Sequence, residues 1–258
     1  MKIEFQKDKL AIRIYSNRQK MGAAAARDVV HRIYSLLETQ TYVNIIFAAA
    51  PSQNEFLAGL RESSLDWNRV RAFHMDEYIG LADDAPQRFG NFLKHAIFSR
   101  LPFNELFYLD GNAIDEAAEC RRYTALLKEY PVDIVCMGIG ENGHIAFNDP
   151  PVADFNDSQW VKVVELEEAC RQQQVNDKCF DTIDDVPTKA LTLTVPALMA
   201  AKYLYCMVPA ATKADAVFNT INEPVNEAVP ASIIRTHPHA TLYLDELSSA
   251  HLSIKEKV

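Results

Sequence analysis

The chain has 258 residues, of which 48% are hydrophobic and 24% are charged, and its formal net charge at pH 7 is −9. This composition is typical of a globular domain, and the acidic balance argues against a broad surface for nucleic acid or an anionic membrane. Five scattered cysteines without a CxxC pair indicate reduced thiols and no structural zinc. Residues 1–5 lack the apolar core of a signal peptide, and no apolar run reaches membrane-spanning length. We therefore expect a cytoplasmic protein.

Short apolar runs alternate with helical patterns along the chain, and no repeat or flexible linker divides it. The alternation predicts an α/β fold: one domain over residues 1–258, doubly wound, with a mostly parallel sheet and helices on both faces, as in Rossmann-like three-layer proteins. The run at 10–15 is expected at a sheet edge, and Ser52 or Asn54 is expected to cap the helix after the second strand. Strands are predicted at 10–15, 42–50, 70–75, 106–109, 132–137, 160–166, 190–195, 203–208 and 241–244. Helices are predicted at 21–37, 88–100, 114–129 and 212–222. Two further helices are expected, one after residue 54 and a polar one that ends at residue 178.

The strand predicted at 132–137 runs into a loop that contains three of the eight glycines of the chain, within Gly138–Gly143. Such glycine clusters shape loops that approach a ligand at the carboxyl end of a strand. The loop carries His144, whose imidazole titrates near neutrality, with Asn142 and Asp149 close enough to orient the ring. A lone histidine is more often a satisfied core residue, but the glycines and Asp149 favour an acid–base site.

Phe73–Tyr78 places two adjacent carboxylates at the end of another predicted strand. Successive side chains of a strand point to opposite faces, so at most one carboxylate can face a crevice there. Asp76 is the better candidate for a catalytic base. The alternative is that Asp76 and Glu77 only cap the following turn.

A third feature suits an anion. Residues 48–54 follow a strand and open a helix, where free backbone N–H groups and the helix dipole attract phosphate, although the segment has no glycine and is not a P-loop. Lys213 begins a later helix and can bring a cation to the same crevice. Taken singly, each feature is more consistent with an ordinary helix start and a solvated lysine than with an anion site. The candidate phosphate-binding residues are Ala49, Ala50, Ser52, Gln53, Asn54, Gly143 and Lys213, with Lys178 as a weaker candidate.

Together these stretches resemble the glucosamine-6-phosphate deaminase (isomerase) family, which shares its fold with the 6-phosphogluconolactonases. The resemblance covers most of the chain, at 73–81, 138–150, 186–194, Lys213 and 230–237. Met75-Asp76-Glu77-Tyr78 and His144-Ile145-Ala146-Phe147-Asn148 resemble the deaminase branch, whereas a lactonase more typically has Asp-Glu-Arg and Asp-Gly-His-Thr-Ala-Ser at these places.

The resemblance implies conversion of an amino-sugar 6-phosphate and water to a ketose phosphate and ammonia, without a metal or organic cofactor. His144 would assist ring opening, and Asp76 would move a proton from C2 to C1 through an enolamine. The phosphate would rest on the turn 49–54 and on Lys213. The partner would be a small amino-sugar phosphate rather than nucleic acid or membrane, and a homo-oligomer is possible.

Three departures from the family pattern leave the substrate open. Many relatives have Asp where this chain has Asn142, Glu where it has Asp149, and Thr/Ser-Gly-Gly where it has Ala49-Ala50-Pro51. The first removes a negative charge beside His144, and the second shortens the reach of a carboxylate. The alternatives are a galactosamine-6-phosphate deaminase and a sugar-phosphate-binding protein without turnover; a 6-phosphogluconolactonase is a less favoured fourth.

Overall fold

The structure is a computed structural model that describes residues 3–253. Residues 1, 2 and 254–258, which belong to the predicted domain, lie outside the described residues, so the N-terminal segment 1–5 is described only from Ile3. The strands are β1 (Ile3–Lys7), β2 (Leu10–Tyr15), β3 (Val43–Phe47), β4 (Val70–His74), β5 (Asp76–Tyr78), β6 (Glu105–Phe107), β7 (Ile134–Met137), β8 (Val161–Glu165), β9 (Lys189–Leu193), β10 (Tyr203–Val208) and β11 (Ala240–Asp245). The α-helices are α1 (Arg18–Leu37), α2 (Asn54–Arg61), α3 (Phe89–Leu93), α4 (Glu116–Glu129), α5 (Glu168–Asn176), α6 (Val195–Met199) and α7 (Ala214–Asn222).

Eight strands form the main sheet in the order β1-β2-β11-β10-β7-β3-β4-β6. β1 pairs antiparallel with β2, and the remaining neighbours are parallel. Successive residues of one strand enter different cores: Ile45 and Phe47 pack into the core that includes α1 and α2, and Ile46 packs into the core that includes α4 and α7. Because both faces of the sheet are covered, its central strands are apolar throughout. The predicted doubly wound, three-layer α/β fold is confirmed.

The strand order reverses between β3 and β7. From β3 the chain continues outward through β4 and β6, then returns to place β7 on the other side of β3, followed by β10 and β11. The loops after β3 and β7 therefore leave the same edge of the sheet in opposite directions and open a crevice between them. The two sequence motifs with the strongest functional signal lie at this crevice.

A second sheet of three short antiparallel strands, in the order β5-β9-β8, lies beyond the carboxyl edge of the main sheet. Asp76 pairs with Thr192 of β9. The Thr192 hydroxyl accepts the backbone N–H of Phe147 at 3.1 Å, and Asn148 donates to the carbonyl of Leu193 at 2.8 Å. This sheet therefore joins the strand of Asp76 to the loop of His144.

Several details differ from the sequence-based expectations. The strand at 10–15 is not at the edge, because the unpredicted β1 pairs outside it. Neither Ser52 nor Asn54 caps α2: Asn54 is already helical, and the cap position makes no side-chain hydrogen bond. A 3₁₀ turn with Pro51 at its first position starts the helical segment earlier, since proline is pre-set for a helix start.

The other predicted elements agree with the structure within a few residues, but β5 and α6 were not predicted. The helix predicted at 88–100 is α3 continued by a π-helical turn, Lys94–Phe98. The runs at 160–166 and 190–195 are strands as predicted, but they belong to the second sheet. Within residues 3–253, no helix combines the length and apolar character needed to cross a bilayer.

Candidate active site

A cavity of about 440 Å³ opens at the carboxyl ends of four adjacent strands, β4, β3, β7 and β10. The segment after each strand contributes to its wall. Asp76 comes from the segment after β4, the turn Ala48–Ser52 from β3, the loop of His144 from β7, and Pro209–Lys213 from β10. Helix α5 and the residues after it cover another side. The fold thus brings together groups that are far apart in the sequence.

Asp76 is a buried carboxylic acid that faces this cavity, with 7% of the residue exposed. Its carboxylate has no hydrogen-bond partner among residues 3–253. Burial, together with the neighbouring Glu77 carboxylate, raises the pKa of Asp76 well above its ordinary value. A carboxylate without protein partners and with a raised pKa is suited to exchanging a proton with a ligand.

Glu77 has a structural role instead. Its two carboxylate oxygens accept the backbone N–H groups of Tyr78, Phe89 and Gly90 at 2.9–3.0 Å. Burial raises the pKa of Glu77, and these hydrogen bonds and Arg88 oppose the rise. The alternative that these adjacent carboxylates only cap the next turn therefore holds for Glu77 alone.

His74 fixes the backbone on which Asp76 sits. Its Nδ1 lies 2.8 Å from the carbonyl oxygen of Asp76, and its Nε2 accepts the N–H of Leu109 at 2.9 Å. One nitrogen must donate and the other must accept, so the ring is neutral with the proton on Nδ1. Consistently, burial lowers the pKa of His74 to about 4. This histidine is a positioning group rather than an acid–base group.

His144 is held by two acceptors on the same nitrogen. Its Nδ1 lies 2.7 Å from Oδ1 of Asn142 and 3.0 Å from Oδ1 of Asp149. The amide of Asn142 donates from Nδ2 to Asp149 at 2.8 Å. Because a carboxylate can only accept, the Asn142 oxygen must face the histidine, and Nδ1 of His144 must carry the proton. The other ring nitrogen, Nε2, is then the acceptor that remains for a ligand.

Asp149 lies behind the histidine and is completely buried. Burial alone would raise the pKa of this carboxylic acid, but its hydrogen bonds to His144 and Asn142 outweigh burial and lower it. Asp149 is therefore an anion at neutral pH and can stabilise a positive charge on the imidazole. His144, Asn142 and Asp149 are thus connected by short polar contacts, and we call these three residues the His144 relay.

The loop glycines explain how the relay fits. A Cβ at Gly140 would lie 2.1–2.4 Å from three ring atoms of His144, so the imidazole rests directly on this glycine. Gly143 has φ +85°, a left-handed conformation that glycine adopts without strain. Two of the clustered glycines therefore have a structural reason: Gly140 allows the close approach of the His144 ring, and Gly143 allows the turn of the loop.

The turn after β3 presents free backbone donors. The N–H groups of Ala49, Ala50 and Ser52 donate to no protein acceptor within the described part of the chain. Gln53 holds the turn in place, since its Nε2 lies 3.0 Å from Oγ of Ser52 and 3.3 Å from the carbonyl oxygen of Met207 at the end of β10. Free N–H groups at a helix start are suited to an anion.

Lys213 provides the cation. It is 6% exposed and lines the cavity, and its ammonium makes no ion pair or hydrogen bond with any residue from 3 to 253. Burial lowers its pKa, and Asp177 and Glu141 act in the opposite direction. Lys178 is exposed at the rim of the same cavity. A buried lysine without a partner is costly to the fold unless a ligand compensates it.

The structure therefore brings most of the sequence-predicted residues to one place. Asn142 and Asp149 lie behind the cavity and act through His144, Gln53 supports the turn, and Asn54 faces a neighbouring groove. Gly143 shapes the loop without lining the cavity wall. Those that line the cavity are Ala49, Ala50, Ser52, Asp76, His144, Lys178 and Lys213.

Sequence reasoning missed four contributors. His74 is one; the others are Arg18, Gln173 and Gln174, which line the cavity. Arg18 is bound to Glu55 at 2.6 Å and to the carbonyl of Pro51 at 2.8 Å, so it braces the anion turn. Gln174 is buried, and its side-chain amide makes no hydrogen bond with residues 3–253. The consecutive glutamines in an otherwise polar helix were the available signal.

The fold and the site define the class of protein: a doubly wound α/β enzyme with a cavity lined by titratable side chains at the carboxyl edge of its sheet. The chain belongs to the family described as glucosamine-6-phosphate isomerases/6-phosphogluconolactonase, which matches residues 16–243.

Curated relatives are similar over nearly their whole length. A protein of Streptococcus suis named glucosamine-6-phosphate deaminase is 37% identical over 92% of this chain and 97% of its own. Proteins of the same name from Leuconostoc citreum and Listeria innocua are 34% and 38% identical, covering 92% and 83% of this chain and 97% and 90% of their own.

Solved structures agree with the fold. A monomeric glucosamine-6-phosphate deaminase superposes with a TM-score of 0.84 at 27% identity, covering 93% of this chain and 98% of its own. The 6-phosphogluconolactonase of Thermotoga maritima gives a TM-score of 0.75 at 18% identity, covering 92% and 99%. The second likeness concerns the fold alone.

Proposed function

We propose that this protein is a glucosamine-6-phosphate deaminase, which converts glucosamine 6-phosphate and water to fructose 6-phosphate and ammonia. One observation carries the proposal: a single cavity gathers the unpaired carboxylate of Asp76, the His144 relay, the free N–H groups of the turn 49–52 and the unpaired ammonium of Lys213. The similarity to curated deaminases over most of the chain supports the same reaction.

The first step is ring opening. Nε2 of His144 accepts the proton of the anomeric hydroxyl and returns a proton to the ring oxygen as the C1–O5 bond breaks. Asp149 stabilises the imidazolium formed in between, because it is a buried anion 3.0 Å from Nδ1. Asn142 keeps the ring in the required orientation. The product of this step is the open-chain amino aldose.

The second step is the isomerisation. Asp76 removes the proton from C2, which gives an enolamine once the C1 oxygen is protonated, and then delivers a proton to C1. The resulting imine at C2 adds water and loses ammonia, so that the ketose phosphate remains. The raised pKa of Asp76 matches a carboxylate that must both take and return a proton.

Binding of the phosphate group holds C1 and C2 of the sugar in position for both steps. It is bound by the N–H groups of Ala49, Ala50 and Ser52 and by Lys213, with Lys178 at the rim. These contacts are remote from C1 and C2, and binding energy of this kind pays for correct positioning. We expect the protein to act in the cytoplasm on this small molecule, without nucleic acid or membrane, either as a monomer or as a homo-oligomer.

The test is ammonia release from glucosamine 6-phosphate and galactosamine 6-phosphate, measured side by side. We expect the higher kcat/KM for the gluco substrate and no release by Asp76→Asn. A higher kcat/KM for the galacto substrate would reassign the enzyme to the C4 epimer. Tight binding of both sugars without ammonia release would show a binding protein instead.

A further inference from the structure

Behind the histidine of the relay lies a third side chain with metal-binding chemistry. A ring nitrogen of His144, a carboxylate oxygen of Asp149 and the sulfur of Cys170 all lie within 4.8 Å of one another. All three residues are buried, at 7%, 0% and 1% exposure. Imidazole nitrogen, carboxylate oxygen and thiolate sulfur are the three ligand types that Zn²⁺ takes in proteins.

The carboxylate has an oxygen that the protein leaves unused. Oδ1 of Asp149 contacts both Asn142 and His144. Oδ2 is buried and has no hydrogen-bond partner among residues 3–253. Buried polar atoms nearly always have a partner, and the protein group beside this carboxylate is the thiol of Cys170, whose proton a metal ion would displace. Oδ2 belongs to the residue at the centre of the cluster.

We propose that His144, Asp149 and Cys170 form a binding site for a thiophilic divalent cation, Zn²⁺ in particular, and that the bound ion inhibits the enzyme. The thiol of Cys170 and Nδ1 of His144 lose their protons to solvent as the metal–sulfur and metal–nitrogen bonds form. The divalent charge then balances the carboxylate and the thiolate, so no net charge is buried. The amide oxygen of Asn142, 2.7 Å from Nδ1, adjoins the cluster.

The arrangement gives the ion both a route and an effect. His144 lines the cavity, whereas Asp149 and Cys170 are buried behind it, so the route from the ligand side opens when the imidazole moves aside. Coordination of Nδ1 removes the proton that this nitrogen shares with Asp149 and immobilises the ring. The relay can then no longer form an imidazolium. Because the phosphate-binding residues are elsewhere in the cavity, Zn²⁺ should lower kcat much more than it weakens sugar binding.

The first experiment measures the metal alone and does not depend on the proposed function. The whole chain is titrated with Zn²⁺ against a chromophoric chelator, and with Co²⁺ to detect the thiolate-to-metal charge-transfer band. We expect one ion per chain and a band that disappears in both Cys170→Ala and Cys170→Ser, because neither variant has a thiolate at this position. Cys179→Ala is the matched control, since this second cysteine lines the cavity outside the cluster; it should retain the band.

The second experiment measures inhibition of ammonia release and rests on the proposed deaminase activity. Zn²⁺ should inhibit the wild type and Cys179→Ala, a chelator should reverse the inhibition, and Cys170→Ala should resist it, with thermal unfolding confirming that each variant is folded. Equal inhibition of folded Cys170→Ala and wild type, or a Co²⁺ band that survives in both Cys170 variants, would overturn the proposal. A cobalt band without any deaminase activity would support the metal site and refute only the proposed function.

Discussion

The buried carboxylate of Asp76 serves the proposed proton transfer but lowers the stability of the folded protein at neutral pH. Its folded-state pKa is raised by burial, so ionisation costs the folded protein more than the unfolded chain. Above the ordinary pKa of an aspartic acid the folded state binds more protons than the unfolded state, and stability therefore falls as pH rises through the interval up to the raised pKa. The fold tolerates this cost because an uncompensated carboxylate is what the proposed proton transfer needs.

Asp76→Asn should therefore raise the melting temperature at neutral pH and lower kcat, the latter by roughly 10²- to 10⁴-fold, the range for a lost general base. The gain in stability should shrink as the pH is lowered and the wild-type carboxylate becomes protonated. Thermal unfolding of both proteins across a pH series measures this difference. A variant that is less stable than the wild type at neutral pH would contradict the assignment of an unpaired buried carboxylate.

Asp149 should behave in the opposite way. Its pKa is lowered by the hydrogen bonds that outweigh its burial, so the carboxylate stabilises the fold above its ordinary pKa, and this contribution is lost as pH falls through the lowered pKa. Asp149→Asn should reduce both stability at neutral pH and kcat, the latter by on the order of 10²-fold, because the imidazolium of His144 loses its counter-charge. Unfolding and ammonia release report the two effects, and Asn142→Ala, which leaves the carboxylate, should lose less activity. A kcat within a fewfold of wild type in Asp149→Asn would contradict the relay.

At the scale of elements, the turn after β3 and the start of α7 line one cavity, and together they are the proposed phosphate site. Lys213 is buried without a partner, whereas Lys178 is exposed at the rim. Lys213→Met should raise KM by roughly 10- to 100-fold, the loss expected for a hydrogen bond to a charged group, with a smaller effect on kcat. Lys178→Met is the matched control and should have a lesser effect. Equal changes in KM for the two variants, or a purely kcat effect at Lys213, would place the phosphate elsewhere.

Much of this architecture was readable from the sequence, because apolar periodicity and clustered glycines are local signals. The parallel core strands were predicted from the apolar runs, and positions at strand ends and helix starts singled out Asp76, His144 and Lys213, which all line the cavity. The second sheet was not predicted as a separate sheet, although two of its strands were predicted, because only three-dimensional pairing distinguishes its strands from those of the main sheet. The positioning role of His74 was not predicted for the same reason, because it depends on a hydrogen bond from Leu109, a residue that only folding brings near.

The whole molecule is expected to unfold as one unit, as a single domain should. Helix α1 packs against strands from both halves of the main sheet, β3 and β10 among them, and the second sheet links the segments of Asp76 and His144. Calorimetry should therefore show one transition whose calorimetric and van't Hoff enthalpies agree. Two separable transitions would contradict the single-domain prediction for residues 1–258.

The fate of the C2 hydrogen tests the role of Asp76 most directly, because Asp76 is the residue proposed to remove that hydrogen. Glucosamine 6-phosphate is followed by ¹H NMR in D₂O with wild-type protein and with Asp76→Asn, and sugar binding is measured by calorimetry. We predict that the wild type consumes the C2–H signal as fructose 6-phosphate forms, whereas Asp76→Asn binds the sugar and leaves that signal intact. Loss of the C2 hydrogen at a near wild-type rate in Asp76→Asn would show that another group is the base.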